Sequence, residues 1–584
     1  MGGVLPFTGG CNDLRDIDAR TDRLILERSR LLGSDAAPPT PRTGDRREGE
    51  NDPRLFDKTP PSNNPSASEL TYHSLDPTVA DEAAEVEQRL AAIQALPTEN
   101  VVVLDLAGAL RQAQRTAREY LDAEEEYIFA AIRLLIERHD WSPRLFADVS
   151  ADFESAQVDG DTDTVLRILA QAGVTQRLPW GGEVAARWIW NATENLRSAV
   201  TGQYVQASRL QFDASIPLLR DAGKIAQEAL IQAERNLIYA ARDFEDFRRR
   251  FVVDIARDYF NLLQQQAAIR NTEKQVESFR RELDRQQAFY EAGRVPLFAV
   301  NDFRNQLLNS TSALASQREA YILALDRFKI RLGLPVETPL ELRDVNLFIA
   351  EPDVTPEEAA RAALTYRLDL QNARDRLDDA RRAVRNARNQ LLPDLDLRGN
   401  VTFTTDADED EGGIVYEPDD ARYSAGLLFS LPLDREIERL RLRQTLIAER
   451  RAIRDYEAFR DRVVLEARAQ VREIERARFA LLLAAERVRI NELRIEEQTL
   501  APLNVTPRDR VDAENELAAA RDAYDQAVTD LRTAVLDYLV ITGQFRVGRD
   551  GQFLPLPGMQ DVTPDPLDPD AEPADAANQP PANG

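Results

Sequence analysis

The side chains that usually bind metals or carry out catalysis are scarce and scattered in this sequence. His73 and His139 are the two histidines, and neither has a second His, Cys or suitably spaced carboxylate to complete a metal site. The acidic run at 406–411 leads into Gly412-Gly413, but it lacks the spacing and the closing bidentate glutamate of a calcium-binding loop. We therefore expect no metal, no cofactor and no enzymatic activity.

One pair of carboxylates is spaced for a joint role. Asp509 and Asp512 follow Pro507 in a segment of helical character, and a separation of three residues places them on one helix face. Arg508 and Arg510 alternate with them and are close enough to form ion pairs. The helix dipole favours acids in the first turn of any helix, so a purely structural role is the alternative.

Cys11 is the single cysteine, which excludes an internal disulfide framework. The small residues Thr8, Gly9 and Gly10 precede it and resemble the end of a bacterial lipoprotein signal, in which the cysteine becomes the acylated N-terminus. The preceding residues carry no charged region, which fits a truncated signal or none. We expect Cys11 to be a lipid anchor, and the alternative is a free thiol.

The composition narrows the class of protein. The chain has 584 residues, of which 43% are hydrophobic and 30% charged, and its formal net charge is −27. Nucleic-acid binding needs clustered Lys and Arg that outweigh the nearby acids, so this balance argues against it. No run of about 18 apolar residues occurs, and we expect no membrane-spanning helix.

The sequence is duplicated. Each half reads as an amphipathic helix, alternating strands that end at a proline, a very long helix, a short break and a returning helix that ends at a glycine. The paired markers are Pro143, Pro217 and Gly333 in the first half and Pro393, Pro432 and Gly543 in the second. The spans 217–333 and 432–543 measure 333 − 217 = 116 and 543 − 432 = 111 residues, which indicates one repeated unit.

Four segments alternate apolar and polar residues with the period of a β-strand, at 145–153, 210–216, 394–403 and 423–431. A soluble sandwich gives the same alternation. Strands of about 9 to 11 residues suit a tilted membrane crossing, however, and all four tryptophans lie at or near the first strand pair, where an interfacial girdle would form. Four strands cannot close a barrel, and lipid does not tolerate free edges, so several chains would share one barrel.

Long helical segments connect these strands to two sharp breaks. Residues 218–290 contain no proline, and about 70 helical residues would extend on the order of 100 Å. In the second half Ala467, Ile474 and Leu481 recur every seven residues, which is typical of a coiled-coil seam. The breaks fall at 293–296 and 501–507, where prolines and a glycine interrupt helical hydrogen bonding. Each half should therefore form a long helical hairpin.

Over residues 100–545 the sequence resembles the TolC-type outer-membrane efflux family. The resemblance rests on four short segments in the same order, namely Ile216-Pro217-Leu218-Leu219, Leu332-Gly333-Leu334-Pro335, Tyr366-Arg367-Leu368-Asp369-Leu370 and Leu392-Pro393-Asp394-Leu395. It implies a mainly α-helical fold with a membrane β-barrel, in which a homotrimer builds one 12-stranded barrel from four strands per chain. The helical hairpins would continue as an α-helical tunnel in the periplasm, with the barrel in the outer-membrane lipid.

The resemblance also implies a function and a set of sites. Export would pass from an inner-membrane pump and a periplasmic adaptor, or membrane fusion protein, through the tunnel to the exterior. Asp509 and Asp512 match the paired aspartates that form the gate and select cations, so a trimer would gather six carboxylates around its axis. The expected tip and adaptor contacts are Gly293, Arg294, Val295, Pro296, Leu503, Arg508 and Arg510. A soluble periplasmic coiled-coil scaffold or adaptor is the alternative.

We divide the chain accordingly. The segments are 1–11, a possible truncated lipoprotein signal; 12–75, a disordered tether; 76–98, a short helix; 100–333 and 352–543, the two efflux repeats; 334–351, an equatorial linker; and 544–584, an acidic Pro-rich tail. The first strand region is longer than the second by 74 − 39 = 35 residues between its prolines. The extra segment 155–205 could be a further strand pair, a surface loop or a plug.

Overall fold

The computed structural model describes residues 14–31, 88–90, 92, 94, 101–158, 161–195, 205–343, 352–405, 416, 419, 421–500 and 506–547. Two compact units share these residues. The first unit draws on Met1–Gly44, Ala123–Glu245 and Leu368–Asp461, and the second on Asp45–Asp122, Asp246–Arg367 and Arg462–Gly584. Both sequence repeats contribute to both units, so the units do not coincide with the repeats.

The described helices include two very long ones. They are α1 Leu14–Leu31, α2 Leu106–Thr116, α3 Arg118–Asp140, α4 Glu228–Glu291, α5 Leu297–Arg331, α6 Pro356–Tyr366, α7 Leu368–Asn389, α8 Glu436–Leu500 and α9 Pro507–Ile541. Helix α4 has 64 residues and α8 has 65, which corresponds to about 100 Å each. Among the described helices, none combines the length and the hydrophobicity needed to cross a lipid bilayer.

The strands form two sheets. They are β1 Val102–Leu104, β2 Arg144–Val158, β3 Asp161–Arg177, β4 Glu183–Asn195, β5 Val205–Pro217, β6 Leu340–Leu342, β7 Asp394–Thr404 and β8 Arg422–Ser430. In the second unit β1 pairs with β6 in parallel. In the first unit β2, β3, β4, β5, β7 and β8 form one open antiparallel sheet in that order.

The expectation of four strands per chain is therefore wrong. Of the alternatives for 155–205, the described residues 161–195 form the further strand pair, because β3 and β4 insert as a hairpin between β2 and β5. The hairpin pairs with both neighbours along its length, from Arg144 opposite Thr175 to Glu183 opposite Ser215. The sequence left the strand pair as one of three alternatives because Ala, Gly and Gln dilute the apolar periodicity of β3.

The helix that precedes each strand region is broken, whereas the sequence pattern suggested an uninterrupted one. Helix α2 ends at Thr116 and α3 starts at Arg118, and in the second repeat α6 ends at Tyr366 and α7 starts at Leu368. The intervening Ala117 and Arg367 have extended backbones, with ψ of 126° and 121°. The break occurs at the same place in both repeats, which supports the duplication.

The glycines that end the return helices pack against these breaks. Gly333, with φ of +71°, lies against Thr116, and a Cβ atom there would stand 2.1 Å from the Thr116 carbonyl oxygen. Gly543, with φ of +70°, lies against Tyr366, where a Cβ atom would stand 2.7 Å from the carbonyl oxygen. Both helices end in a Schellman motif, in which Leu334 N–H donates to Lys329 O and Gln544 N–H to Leu539 O.

The assignment of 12–75 to a disordered tether is wrong for its first part. Residues Leu14–Leu31 form helix α1, and Ile25 is fully buried against Tyr127, Leu134 and Leu237 in the first unit. Apolar side chains at Ile17, Leu24 and Ile25 give α1 one packing face, which the many charged residues between them conceal in the sequence.

Candidate functional site

The six-stranded sheet has one continuous apolar face. A row of directly paired residues crosses it from edge to edge, through Leu145, Val174, Ala186, Phe212, Val401 and Tyr423. The face is exposed, since Leu145 is 76% and Tyr423 74% accessible. The neighbouring positions Phe153 and Leu427 are 67% and 65% exposed on the same face. An apolar surface of this extent on a soluble chain needs a partner or a lipid phase.

The opposite face of the sheet is polar and internally paired. Asp213 accepts hydrogen bonds from Gln211 at 2.9 Å and Asn400 at 2.6 Å, and it lies 3.6 Å from an Arg187 guanidinium nitrogen. Gln171 donates to Asp148 at 2.7 Å across the β2–β3 pair. This face carries both acidic and basic side chains. The sheet therefore has one apolar face and one polar face of balanced charge.

The two tryptophans of the central hairpin lie on the apolar face. Trp188 and Trp190 occupy the positions of β4 that pair with Leu210 and Ser208 of β5, on the same face as Phe212. Trp188 is 39% exposed. Amphipathic rings that project from an apolar sheet face are typical of strands at a membrane interface.

The first hairpin tip is a tight turn beside exposed apolar residues. Gly293 has φ of +70°, and Arg294 N–H donates to Phe289 O at 2.8 Å, which ends α4 in a Schellman motif. Pro296 is the N-cap residue of α5. Gly293, Arg294 and Pro296 are exposed and Val295 is partly exposed. These positions are therefore accessible to solvent.

Sequence reasoning missed the two residues that make this tip apolar. Leu297 and Phe298 are 51% and 66% exposed at the start of α5, and Tyr290 at the end of α4 is 43% exposed. Two large apolar residues directly after a helix-starting proline are the signal that could have revealed them, because first-turn positions without a buried neighbour remain accessible.

At the second tip Asp509 caps a helix. Its carboxylate accepts hydrogen bonds from the Thr506 hydroxyl at 2.6 Å and the Thr506 backbone N–H at 3.1 Å, and Thr506 Oγ1 accepts from Asp509 N–H. This reciprocal capping box fixes the first turn of α9. Hydrogen bonds from Thr506 lower the pKa of Asp509 from its ordinary 3.8. The structural alternative for Asp509 thus has direct support in the chain.

Asp512 and Arg508 are not part of the capping box formed by Thr506 and Asp509. Both are exposed on the first turns of α9. Within the part of the chain that the structure describes, no ion pair of 4 Å or less reaches the Asp512 carboxylate. Of the two aspartates, Asp512 is therefore the one whose charge faces solvent without a local structural task.

Arg510 connects three helices near the tips. Its guanidinium lies 3.2 Å from Glu282 Oε2 on α4 and donates to the Gln498 carbonyl on α8 at 3.2 Å. The two charged side chains are only 18% and 15% exposed. Phe279, Phe303 and Val511 form a small apolar cluster that adds α5 to the same region. Arg510 therefore ties helices of the two hairpins together, which leaves it less available to a partner than Arg508.

We expect the Arg510–Glu282 ion pair to hold the start of α9. Arg510→Gln should speed amide hydrogen exchange in the first turns of α9, because the mostly buried Glu282 carboxylate loses one of its two arginine partners and keeps only Arg285, at a cost of about 1 kcal/mol. Glu282→Gln should also speed it. In the double variant the two effects should add only in part, since both substitutions remove the Arg510–Glu282 interaction.

Arg508→Gln is the matched control, as it removes a neighbouring exposed arginine. Hydrogen exchange monitored by mass spectrometry measures the effect. Additive behaviour of the Arg510 and Glu282 substitutions, or an equal effect of Arg508→Gln, would contradict the assignment.

Polar contacts continue between α4 and α9 and were not foreseen from the sequence. Asn271 donates to Asp522 at 2.9 Å and to Asp525 at 3.1 Å, and Ser278 donates to Glu514 at 2.8 Å. Burial raises the pKa of both aspartates, while the Asn271 amide opposes that rise. These contacts fix the rotation of α9 relative to α4, which decides the direction in which Asp512 points.

Some of the expected site residues lie in parts of the chain that the structure does not describe. Cys11, Leu503 and the acidic run at 406–411 lie outside the described residues, as do 32–75 and most of 76–98 and 544–584. Across the residues that the structure does describe, no group of three or more His, Cys, Asp and Glu side chains is arranged to hold a metal ion.

Comparison with solved structures identifies the fold. No family model and no curated protein matches the sequence. Crystal structures of CusC match with a TM-score of 0.57 and 14% identity, covering 76% of this chain and 93% of that one. The outer-membrane channel OprN matches with a TM-score of 0.57 and 18% identity, over 81% and 98% of the two chains. The open MtrE outer-membrane channel of Neisseria gonorrhoeae matches at 0.55 and 14%, over 83% and 99%.

The chain thus has the fold of outer-membrane channel proteins. At these identities the likeness concerns the fold alone, and it confirms at that level the resemblance to TolC-type efflux proteins. The matched proteins are almost completely covered, so both repeats take part in the similarity.

Proposed function

We propose that this protein is the outer-membrane channel of a tripartite export system, and not an enzyme. As a homotrimer in the outer membrane it conducts substrates outward from a periplasmic adaptor and an inner-membrane pump, with its helical part in the periplasm. The apolar sheet face is the observation that carries the proposal. It carries exposed large apolar residues on β2, β4, β5, β7 and β8, while the reverse face is polar and charge-balanced, and this division suits a wall between lipid and water.

Exposed apolar side chains on the helices support an assembly of several copies. On α8 of the second unit Phe479, Leu482 and Leu493 are 62%, 64% and 47% exposed, and on α5 Leu308 and Leu323 are 62% and 50% exposed. The α8 residues recur at helical spacing, which suits coiled-coil contact with a neighbouring copy. A solitary chain would leave these surfaces in water.

The proposal is tested by detergent extraction and planar-bilayer recording. The full chain should fractionate with the outer membrane, purify as a trimer in detergent and give stepwise conductance. A periplasmic scaffold or adaptor would instead stay in the aqueous fraction and give no current. A soluble monomer in plain buffer would overturn the channel and the export role together.

The selectivity of the entrance provides a second test. We propose that Asp512 contributes a ring of three carboxylates at the tips, while Asp509 caps α9. Asp512→Ala should weaken cation preference and block by polyvalent cations, since carboxylate rings favour cations. Asp530→Ala on the same helix is a charge-matched control. Unchanged selectivity and block in the Asp512 variant would remove it from the gate.

Asp509→Ala should act mainly on the first turn of α9. A lowered folded-state pKa stabilises the cap above the ordinary carboxyl pKa, and that contribution is lost as the pH falls through the lowered value. Protection of the first amides of α9 against exchange, relative to the rate of the unfolded chain at the same pH, should therefore fall at acid pH in the wild type and be low at every pH in the variant. Protection that stays constant as the pH is lowered through the lowered pKa of Asp509 would contradict the cap.

A further inference from the structure

The open edges of the sheet are complementary to each other. Strand β2 starts at the helix-proximal end with Arg144, and β8 finishes at that end with Ser430, so the two edge strands run in opposite directions. Strand β8 is exposed at every position, and on β2 Leu145 and Val149 are 76% and 74% exposed. Antiparallel edges on opposite sides of one sheet suit head-to-tail pairing between copies.

We infer that β8 of each copy pairs with β2 of the next, so that three copies of six strands close an 18-stranded barrel. The inference rests on the proposed trimeric channel and predicts a wider pore for it. Barrel diameter grows roughly linearly with strand number, so the pore would be about half as wide again as that of a 12-stranded barrel.

The faces restrict how the edges meet. The apolar face carries Val149 and Ala151 on β2 and Tyr423 and Ala425 on β8, so only every second register keeps it continuous. Three such registers place an acid of β2 beside Arg422, with Ser424 opposite Phe146, Ser150 or position 152. The acid opposite Arg422 is then Asp148, Asp152 or Glu154, respectively.

The strand tilt selects two of these registers. Following paired residues across one copy leads from Arg144 through Thr175, Ala185, Asp213 and Asn400 to Ser424. The next copy therefore enters displaced by two, six or eight residues over six strands. With a rise of about 3.3 Å and a strand spacing of about 4.8 Å, the strands tilt by roughly 13°, 35° or 42°. Only the last two tilts lie within the range of natural barrels, so Ser424 should pair with Ser150 or Asp152.

The central hairpin, formed by β3 and β4, is an integral part of the sheet. Its turn is fixed beneath the start of α4, since Gly223 N–H donates to Trp180 O at 2.7 Å and Gln227 Nε2 donates to Pro179 O at 2.7 Å. Gly182 has φ of +85°, and a Cβ atom there would stand 1.9 Å from the Ser215 carbonyl oxygen. These contacts of the hairpin turn, with the segment before α4 and with β5, hold the hairpin in the sheet.

Cysteine pairs test the closure. In the full-length channel in detergent, Ser424→Cys combined with Ser150→Cys or Asp152→Cys should yield covalent trimers on oxidation, because paired strands bring Cα atoms within disulfide range. Ser424→Cys with Ala151→Cys is the control that faces the opposite side, and the wild type with Cys11 alone gives the background. A conducting trimer in which neither even position crosslinks overturns the closure but leaves the channel, whereas a chain without conductance or trimers overturns both.

Tryptophan quenching tests whether the hairpin counts toward the wall. In vesicles of phosphatidylcholine brominated on its acyl chains, the double variant Trp188→Phe/Trp190→Phe should lose most of the quenching seen in the wild type. Trp141→Phe, which alters a tryptophan outside the strands, should keep it. Equal quenching in the double variant and the wild type, in a channel that conducts, would place the hairpin outside the lipid and overturn the 18-stranded barrel.

Discussion

Lysine in place of Phe212 should prevent the chain from forming channels, whereas lysine in place of Gln211 should not. Phe212 lies in the centre of the apolar sheet face, between Ala186 on β4 and Val401 on β7. A lysine on the lipid face of a membrane strand costs about 2 to 4 kcal/mol near the bilayer midplane, and a trimer carries three copies. Gln211 faces the polar side, where a lysine can approach Asp213.

Membrane fractionation and planar-bilayer recording measure this difference. Circular dichroism of both variants in detergent provides the check that helices α4 and α8 still form. Conductance of Phe212→Lys equal to that of the wild type would mean that the apolar face does not meet lipid, and the sheet would then need another partner.

Alanine in place of Gly333 should destabilise the protein severely. The new Cβ would lie 2.1 Å from the Thr116 carbonyl oxygen, a backbone atom that moves only if the α2–α3 break moves, and φ of +71° is unfavourable for alanine. The two penalties together should cost about 3 kcal/mol or more. Gly543→Ala should cost less, because its Cβ would lie 2.7 Å from Tyr366.

Gly293→Ala separates the two penalties. Gly293 has nearly the same φ, +70°, but nothing lies within 4 Å of a Cβ built there, so only the conformational penalty of about 1 kcal/mol applies. Urea unfolding midpoints of the three variants should rank Gly293, Gly543 and Gly333 in order of increasing loss. Equal losses at all three positions would show that the contacts with Thr116 and Tyr366 are unimportant.

The repeat and its glycines were predictable from the sequence because both depend on local sequence patterns. Gly333 and Gly543 end amphipathic segments of matched length, and helix ends need a residue that tolerates positive φ. The sequence could not show that each glycine packs against a helix break, since Ala117 and Arg367 are ordinary helix-forming residues. That break arises from tertiary contact, and local propensity does not record it.

The sequence left the central hairpin and the roles of the two aspartates undecided between alternatives, for different reasons. Strands β3 and β4 are stabilised by neighbours on both sides, so they fold without strong alternation of their own. Asp509 fits a gate and a cap equally well in the sequence, because both need an acid in the first turn of a helix. Only the hydrogen bonds with Thr506 distinguish them.

An inserted hairpin adds two strands, so the chain leaves the sheet in the direction in which it would have left without it. Helix α3 can therefore still lead into β2, and β5 into α4, with the same polarity. The hairpin adds a contact of its own to the segment between β5 and α4, where Gly223 N–H donates to Trp180 O. In the proposed trimeric channel, gain or loss of one hairpin during evolution would change the width of the barrel in steps of two strands per subunit.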